Sequence, residues 1–568
     1  MSDVLAGVGI MVAAAAAAAA ILLPPGRLRA LAMLSALALF PILILGDRWH
    51  TPQIADLRDD PVRLVLLGAL ALGVSALLAY VFRRRPLLLP LAIVAALPFR
   101  VPLHAGGDTA NLLVPLYLVI AGGVLAAVAR DLGARPAGPV AAGDPPPPAV
   151  AKASSGVVPP ATPPAGGAVV WLPRVLTAVV VLYAVQALYS VDFSKGLQNV
   201  CFFFVPFSLV FGLLRGVEWD RKLLVYVLWV VGIEAVAFVL IGTVEHFTHD
   251  LFWNDQVIRS NEFHTYFRVN SVFWDPNVYG RYLALVAVVA MSALLWARER
   301  RNLILLTGLV LVLWVGLVPT YSQSSFVALL AGLAVLAALK WSLRWTLGAV
   351  GVFALLGILV VLLAGGSSKL SFSRLNIDTS GRANLVSGGI HLFAQRPIYG
   401  YGSGSFPKAY REHVKTRKVP VAVSHTEPIT IAAEQGLAGL ALYAALVVTA
   451  LWTMASGLRS LLSTQTASPA GGVGVGGVED GPWPARSAPP TPTTGPAVDP
   501  ASPATGPARY IAIARAAILA TFTALLVHSM AYAGFFEDPI TWVLLAVGVS
   551  LAAADQRSLA ACRDTSAA

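Results

Sequence analysis

Long apolar stretches separated by short polar connections cover most of the 568-residue chain. Stretches near 20 residues match the length that an α-helix needs to cross a hydrocarbon core of about 30 Å. The first contains Ala13 to Ala20, and fourteen more lie at about 28–45, 62–82, 86–99, 110–129, 175–190, 198–214, 222–243, 277–297, 302–319, 322–339, 344–364, 427–456, 510–533 and 539–554. The segment 86–99 is the weakest, because its 14 residues include three prolines and suit a re-entrant loop. The pattern predicts an all-α, polytopic integral membrane protein with about 14–15 transmembrane helices.

Composition supports this class: 57% of residues are hydrophobic and 12% are charged, against about 25% charged in soluble domains. The net charge of +11 accompanies no nucleic-acid-binding motif, so we predict no nucleic-acid partner. Lys and Arg near span ends stay on the cytoplasmic side. Every second connection between the predicted spans carries basic residues: Arg27 and Arg29, Arg83 to Arg85, Arg130 and Arg135, Arg215 to Lys222, Arg298 to Arg301, Lys340 and Arg344, Arg459, and Arg557 with Arg563. We therefore predict a multi-pass protein of the cytoplasmic membrane with these connections inside.

Two Pro-, Gly- and Ala-rich segments, 131–170 and 459–508, interrupt the apolar pattern and are typical of linkers. They divide the chain into N-terminal helices at 1–130, a core at 171–458 and a C-terminal transmembrane hairpin with its tail at 509–568. Both linkers fall on the cytoplasmic side of the predicted topology.

The predicted outer loop 365–426 carries nine Lys and Arg residues against two acidic residues. The positive-inside rule does not apply to long loops, so these residues do not contradict the topology. That exemption does not explain why Lys and Arg are enriched in this loop. The charge indicates either an anionic ligand or attraction to anionic lipid head groups.

A second outer loop, about 244–276, is rich in aromatic residues that suit either an interfacial belt or a sugar-binding cleft. His246 and His249 stand three residues apart beside Glu245 and Asp250, which suggests either a metal pair or a packed loop. We favour the packed loop and predict no metal.

Three motifs stand out between about 261 and 445. Arg268 precedes an Asp275-Pro276-Asn277 turn. An amphipathic helix headed by Arg382 leads to a Pro-x-x-Gly-x-Gly turn at 397–402. His425 is followed, after Thr426 and nine further residues, by Gly436-x-x-Gly439. Together these motifs resemble the O-antigen ligase and O-antigen polymerase superfamily of C-type glycosyltransferases.

The resemblance implies a metal-independent, inverting glycosyltransferase that needs no cofactor. Its donor is a polyprenyl-pyrophosphate-linked glycan, its acceptor a glycan or glycolipid, and its active site faces outward from the lipid bilayer. By the same resemblance His425 is the catalytic base, and Arg268, Arg382 and Arg396 bind the donor pyrophosphate. We expect Gly436 and Gly439 to allow close helix packing under the site.

Three alternatives stay open from the sequence. A polysaccharide polymerase of the same superfamily shares the motifs. A metal-dependent transferase would use Asp47, Asp56, Asp59 and Asp60, of which Asp59 and Asp60 also suit helix capping. A non-catalytic transporter or flippase would need intramembrane charges, for which Glu234 and His528 are candidates.

Overall fold

The computed structural model describes residues 3–51, 58–105, 108–133, 167–252, 254–263, 266–365, 382–414, 423–463 and 507–567. Both predicted linkers lie almost wholly outside the described residues, as do parts of the predicted outer loop 365–426. The described residues form twenty α-helices and one β-hairpin. The helices are α1 (Asp3–Leu22), α2 (Arg27–Arg48), α3 (Pro61–Arg84), α4 (Leu88–Ala96), α5 (Val114–Gly133), α6 (Ala168–Ala187), α7 (Phe193–Asn199), α8 (Val205–Leu214), α9 (Arg221–Thr248), α10 (Asp255–Phe263), α11 (Pro276–Trp296), α12 (Arg300–Leu317), α13 (Gln323–Lys340), α14 (Leu343–Gly365), α15 (Arg382–Gln395), α16 (Phe406–His413), α17 (Glu427–Ala455), α18 (Leu458–Ser463), α19 (Pro507–Ser529) and α20 (Pro539–Ala567).

Thirteen helical segments within the described residues are long and apolar enough to cross a membrane. They are α1, α2, α3, α5, α6, α7 continued through a π-helical turn into α8, α9, α11, α12, α13, α17, α19 and α20. The 23-residue α14 lies in the same range of lengths. The prediction of an all-α polytopic membrane protein is confirmed.

The weak segment 86–99 forms only the nine-residue α4, followed by the antiparallel hairpin β1 (Val101–Ala105) and β2 (Asp108–Leu112). It packs against the bundle: Leu89 borders Gly123 together with Leu213, and Phe99 makes an edge-to-face contact with Phe238, with ring centroids 5.8 Å apart. The segment therefore does not form a full-length spanning helix, in agreement with the three prolines that made it the weakest predicted span.

The helix bundle has two ends, the site end and the opposite end. The site end carries His425, Arg268 and the N-terminus of α11. The opposite end carries Arg29, which donates to the carbonyl of Ala20, and Arg515, which pairs with a carboxylate of α20. One continuous hydrophobic core joins these ends.

The elements that build the site meet around the N-termini of three helices. Helix α11 packs against α12, α13 and α19, while α17 packs against α6 and α15. The N-termini of α11, α13 and α17 all point to the site end. The amphipathic helix predicted to begin at Arg382 is confirmed as α15.

Candidate functional site

His425 lies just before α17, between two residues that are fixed by hydrogen bonds. The buried Ser424 hydroxyl donates to the carbonyl of Thr426 at 2.8 Å and lies 2.8 Å from the hydroxyl of Thr430. The Glu427 carboxylate accepts backbone N–H bonds from the loop between α19 and α20, at 2.7 and 3.1 Å. These bonds impose a positive φ of 64° on His425. Such a backbone conformation in a residue other than glycine costs about 1–3 kcal/mol and clusters at functional sites.

Arg268 is oriented by neutral oxygen atoms. Its Nε donates to the carbonyl of Thr320 at 2.9 Å, and its Nη2 donates to the Asn277 side chain at 3.2 Å. Its backbone forms two hydrogen bonds with the side chain of Asn261. The structure thus explains why Arg268 and the Asp-Pro-Asn turn occur together, because the asparagine of the turn orients the guanidinium.

Arg382 completes a charged cluster with His425 and Arg268. Burial lowers the pKa of His425 below its ordinary value, the charge of Arg382 lowers it further, and Asp275 partly opposes both effects. Burial likewise lowers the pKa of Arg268, Asp275 raises it, and Arg382 lowers it. An arginine stays charged despite such shifts. The structure therefore brings three of the four predicted chemical residues into one electrostatic neighbourhood.

Tyr532 is a site residue that the sequence interpretation missed, and Asp275, named there only as part of a turn, also belongs to the site. The Tyr532 ring lies 6.4 Å from the His425 ring between centroids, and its hydroxyl bonds to the Asp275 carboxylate. Burial, together with Asp275, raises the pKa of Tyr532 and keeps its hydroxyl protonated. Asp275 also caps α11 by accepting from the backbone of Asn277 at 2.6 Å. Tyr532 belongs to the C-terminal hairpin, far from the motifs in sequence, so no local signal marked it.

A buried ion pair fixes the loop that carries Tyr532. Arg281 of α11 and Asp538 lie 2.8 Å apart, and both side chains are almost completely buried. Asp538 also accepts from the backbone of Ile540 at the start of α20. The pair anchors the 530–538 loop against α11.

Arg396 lies away from the other two arginines. It follows the last residue of α15, and Arg382 is the first, so 14 residues at 1.5 Å each separate them by about 21 Å along the helix. The Arg396 guanidinium stacks on the ring of Tyr401 at 4.4 Å. Its assignment to the donor pyrophosphate stays a prediction that this geometry does not support.

The glycines under the site have a different partner from the predicted one. Helix α17 is interrupted at Gly436, whose φ of 65° and ψ of −158° are not helical. A Cβ on Gly436 would lie 2.4 Å from the carbonyl of Ile398, and one on Gly439 would meet Gln435 of its own helix. The expected helix packing is therefore wrong in its partner, because the close neighbour of Gly436 is the Pro-x-x-Gly-x-Gly turn.

The turn supplies the hydrogen bonds that the interrupted helix lacks. The N–H of Leu437 donates to Pro397 at 2.7 Å, and the N–H of Gly402 donates to the carbonyl of Glu434 at 2.7 Å. The carbonyl of Gln435 accepts from the side chain of Gln186. Full pairing is required because unpaired backbone groups are costly inside a bilayer. Two motifs that are separate in sequence thus form one structural unit.

The aromatic loop divides between the core and the surface. Phe273 and Tyr279 are buried, so they belong neither to an interfacial belt nor to an open cleft. Tyr266 and Tyr321 form an exposed pair with ring centroids 4.6 Å apart. Trp253 lies outside the described residues.

The predicted metal-ligand candidates have other contacts. His249 packs on Phe267 with ring centroids 4.8 Å apart. Asp60 caps α3 by accepting from the backbone of Arg63, which confirms capping for that residue, and Asp47 accepts from the Ser194 hydroxyl. Asp56 lies outside the described residues. Within the described residues, no group of three or more His, Cys, Asp or Glu side chains is placed to hold a metal ion.

Comparison with known proteins identifies one family. Residues 308–444 match the family model described as O-antigen ligase, and no curated protein matches the chain significantly. The match includes Arg382, Arg396 and His425 but begins after Arg268. It supports a glycosyltransferase-like role in polysaccharide assembly for this multi-pass membrane protein. The resemblance seen in the motifs is confirmed for this part of the chain: residues 308–444 match the O-antigen ligase family, which supports the O-antigen ligase and polymerase superfamily.

Proposed function

We propose that the protein transfers a glycan from a polyprenyl-pyrophosphate donor to an acceptor hydroxyl on the outer face of the cytoplasmic membrane. The observation that carries this proposal is the cluster of His425, Arg268 and Arg382, in which two guanidinium groups have no ion pair within the described residues. An anionic group and a base are the reaction partners that such a cluster suits.

The two arginines suit a pyrophosphate leaving group. As the glycosidic C–O bond breaks, negative charge develops on the pyrophosphate oxygen, and fixed cations stabilise it without reorganisation. Arg268 is already oriented by Thr320 and Asn277, so little conformational entropy is lost when it binds the anion. Arg382 adds a second positive charge from the start of α15.

His425 suits the general base. The acceptor oxygen attacks the anomeric carbon as His425 takes its proton, and the pyrophosphate leaves from the opposite face with the bonding electrons. Direct displacement inverts the anomeric configuration. The lowered pKa keeps the imidazole neutral, and therefore able to accept a proton, at neutral pH.

Charge at the opposite end supports the outward orientation. Arg29, Arg215 and Arg515 lie there, and basic residues near span ends are retained on the cytoplasmic side. The site end then faces outward, where lipid-linked glycans are joined to acceptors.

The transporter alternative has less support. The Glu234 carboxylate accepts from the hydroxyl of Tyr282 at 2.9 Å, and His528 bonds to Ser324 at 3.2 Å. Both candidate intramembrane groups are thus engaged in packing contacts between neighbouring helices. They do not form a charged path across the bundle.

Purified protein incubated with a lipid-linked repeat unit and candidate acceptors tests the proposal. We expect glycan transfer with an inverted anomeric centre that persists in EDTA. One transfer per acceptor indicates a ligase, and a ladder of products indicates a polymerase. Absence of any transfer, together with movement of the lipid-linked glycan between leaflets of a vesicle, would replace the proposal with the flippase.

A further inference from the structure

Four hydroxyl side chains lie together between the end of α12 and the first turn of α13, and we name them the hydroxyl cluster: Thr320, Ser322, Ser324 and Ser325. The Ser322 hydroxyl lies 2.7 Å from that of Ser325 and 3.2 Å from that of Ser324. The backbone N–H of Ser322 donates to the Thr320 hydroxyl at 3.2 Å. Of the four side chains, three are completely buried and Ser324 is half-buried.

The Ser322 hydroxyl does not have the role that its position suggests. Ser322 stands at the N-cap of α13, where a serine hydroxyl ordinarily accepts a hydrogen bond from a backbone N–H of the first turn. No such bond forms here, and the hydroxyl contacts the other hydroxyls of the cluster instead. Helix capping therefore does not explain the cluster.

Both oxygen atoms that orient Arg268 belong to residues in contact with the hydroxyl cluster. The carbonyl that accepts from Arg268 Nε is that of Thr320, a member of the cluster. The other acceptor is the side chain of Asn277, and the backbone carbonyl of Asn277 lies 3.5 Å from the Ser325 hydroxyl. A displacement of the cluster would therefore move both acceptors of the guanidinium.

His528 joins the hydroxyl cluster to the C-terminal hairpin. This completely buried side chain of α19 places its Nε2 3.2 Å from the Ser324 hydroxyl, and it lies within hydrogen-bonding range of the backbone of Asn277. Helix α19 packs against both α11 and α13. Buried polar networks are rigid when their members are paired. His528 therefore holds together the two helix starts beside which the acceptors of Arg268 lie.

Gly280 brings α11 directly against the hydroxyl cluster. A Cβ at this position would lie 2.8 Å from the Ser325 hydroxyl oxygen and 3.0 Å from that of Thr320. Gly280 is three residues after Asn277, so it lies on nearly the same side of α11. The absence of a side chain there allows the close contact between the cluster and the helix that carries Asn277.

We propose that the hydroxyl cluster and His528 are positioning residues for Arg268, which fix its two acceptors so that the guanidinium is aligned before the donor binds. A cation that is fixed in advance stabilises developing negative charge without reorganisation. The inference rests on the proposed function, because Arg268 is assigned there to the donor pyrophosphate. It gives His528, which lies outside the family match at 308–444, a role in the reaction without contact with the substrate.

A double-mutant cycle on donor binding separates positioning from a general loss of stability. The probe is farnesyl pyrophosphate, and its dissociation constant is measured for the full-length protein in detergent. Ser322→Ala and His528→Leu should each weaken binding about 5-fold when Arg268 is present, and should have no further effect in the Arg268→Ala background. His528→Gln retains a hydrogen-bonding group and should recover most of the affinity.

Thr523→Val is the matched control for this cycle and should bind the probe as the wild type does. The Thr523 hydroxyl donates to the carbonyl of Leu519 within α19, away from the hydroxyl cluster. Ser322→Ala removes a single oxygen atom, so it keeps the cycle informative if His528→Leu does not fold. An equal loss of affinity with and without Arg268, or no loss in either background, would overturn the inference.

Chemical modification of Arg268 provides a second measurement that requires no substrate. Phenylglyoxal reacts with accessible guanidinium groups, and mass spectrometry gives the rate at each arginine. Ser322→Ala should raise the rate at Arg268 several-fold and leave that at the exposed Arg411 unchanged. Unchanged rates at Arg268 in every cluster variant would overturn the inference. If the wild type binds no farnesyl pyrophosphate, the proposed donor site is refuted, and the modification rates still decide whether the cluster fixes the guanidinium.

Discussion

Arginines at the two ends of the bundle have different partners. At the opposite end, Arg29 donates to carbonyls of Ala20 and Gly212, and Arg515 pairs with Asp555 at 2.7 Å. These guanidiniums neutralise the negative ends of helices or a carboxylate, and their role is completed within the fold. A structural explanation accounts for each of them.

At the site end, Arg268 and Arg382 form no ion pair within the described residues and share an electrostatic neighbourhood with His425. Arg268 donates to neutral oxygens, as Arg29 does, so its position beside His425 is what distinguishes it. Arg281, which lies nearby, does have a buried carboxylate partner in Asp538. The comparison indicates that two arginines without an ion pair beside a histidine mark a ligand site, whereas Arg281 and Arg515, each paired with a buried carboxylate, are structural clamps.

The largest predicted effect of this difference is on catalysis. Arg268→Ala and Arg382→Ala should each lower transfer about 10²- to 10³-fold and weaken donor binding, because transition-state charge loses a fixed cation. Lysine should rescue only partly, since it lacks the planar fork. Steady-state transfer and donor binding are the measurements, with Arg411→Ala as control. Wild-type donor affinity in both variants would remove the distinction between the two ends.

Arg515→Gln should affect stability rather than chemistry. Removing one partner of a buried ion pair costs about 3–5 kcal/mol, because the remaining carboxylate loses its compensating charge. The melting temperature of the purified protein should fall clearly, while the donor KM of the folded fraction stays at the wild-type value. A changed donor KM with normal melting would mean that the opposite end takes part in donor binding.

The contact between the 397–402 turn and α17 predicts a smaller loss of stability. Gly436→Ala should cost at least about 1–2 kcal/mol, because an L-residue disfavours this φ and its Cβ would clash with Ile398. Gly308→Ala in α12 is the matched control, since nothing lies within 4 Å of its added Cβ. Thermal unfolding measures both. Equal melting temperatures for the two variants would contradict the close contact between Gly436 and the 397–402 turn.

The smallest effect is a displacement of the pH profile. The acid limb of transfer should lie below about pH 6.5, because His425 has a lowered pKa and acts when neutral. Arg382→Gln removes a positive neighbour, which raises this pKa and shifts the limb to higher pH. Asp275→Asn removes a negative neighbour and shifts it to lower pH. The measurement compares the midpoint pH of the acid limb between each variant and the wild type, because the absolute rates also change. Shifts in the same direction would exclude His425 as the titrating base.

Sequence alone predicted most of the fold because span length and basic residues follow directly from the physics of the bilayer. It marked the segment 86–99 as the weakest span because of its three prolines, and that segment forms only the nine-residue α4. It also assumed that α17 is continuous. The interruption at Gly436 is accompanied by hydrogen bonds between α17 and the 397–402 turn, in which Leu437 donates to Pro397 and Gly402 donates to Glu434, and periodicity contains no information about that partner.

The candidate site was predicted in part. Motifs identified His425, Arg268 and Arg382, because each stands next to a recognisable turn or helix start. Tyr532 and Asp538 were missed, since they reach the site only when the C-terminal hairpin packs on α11. Arg396 was assigned with the others from its position in the motif. The length of α15 places it at the far end of that helix.

His425→Ala, assayed for both donor binding and transfer in one preparation, tests the central claim most directly. The account predicts a loss of transfer of about 10²- to 10⁴-fold, as expected for removal of a general base, with donor affinity close to wild type. His391→Ala, an exposed histidine on α15, should transfer normally and serves as control. Full transfer by His425→Ala, with normal insertion and protein level, would contradict the account.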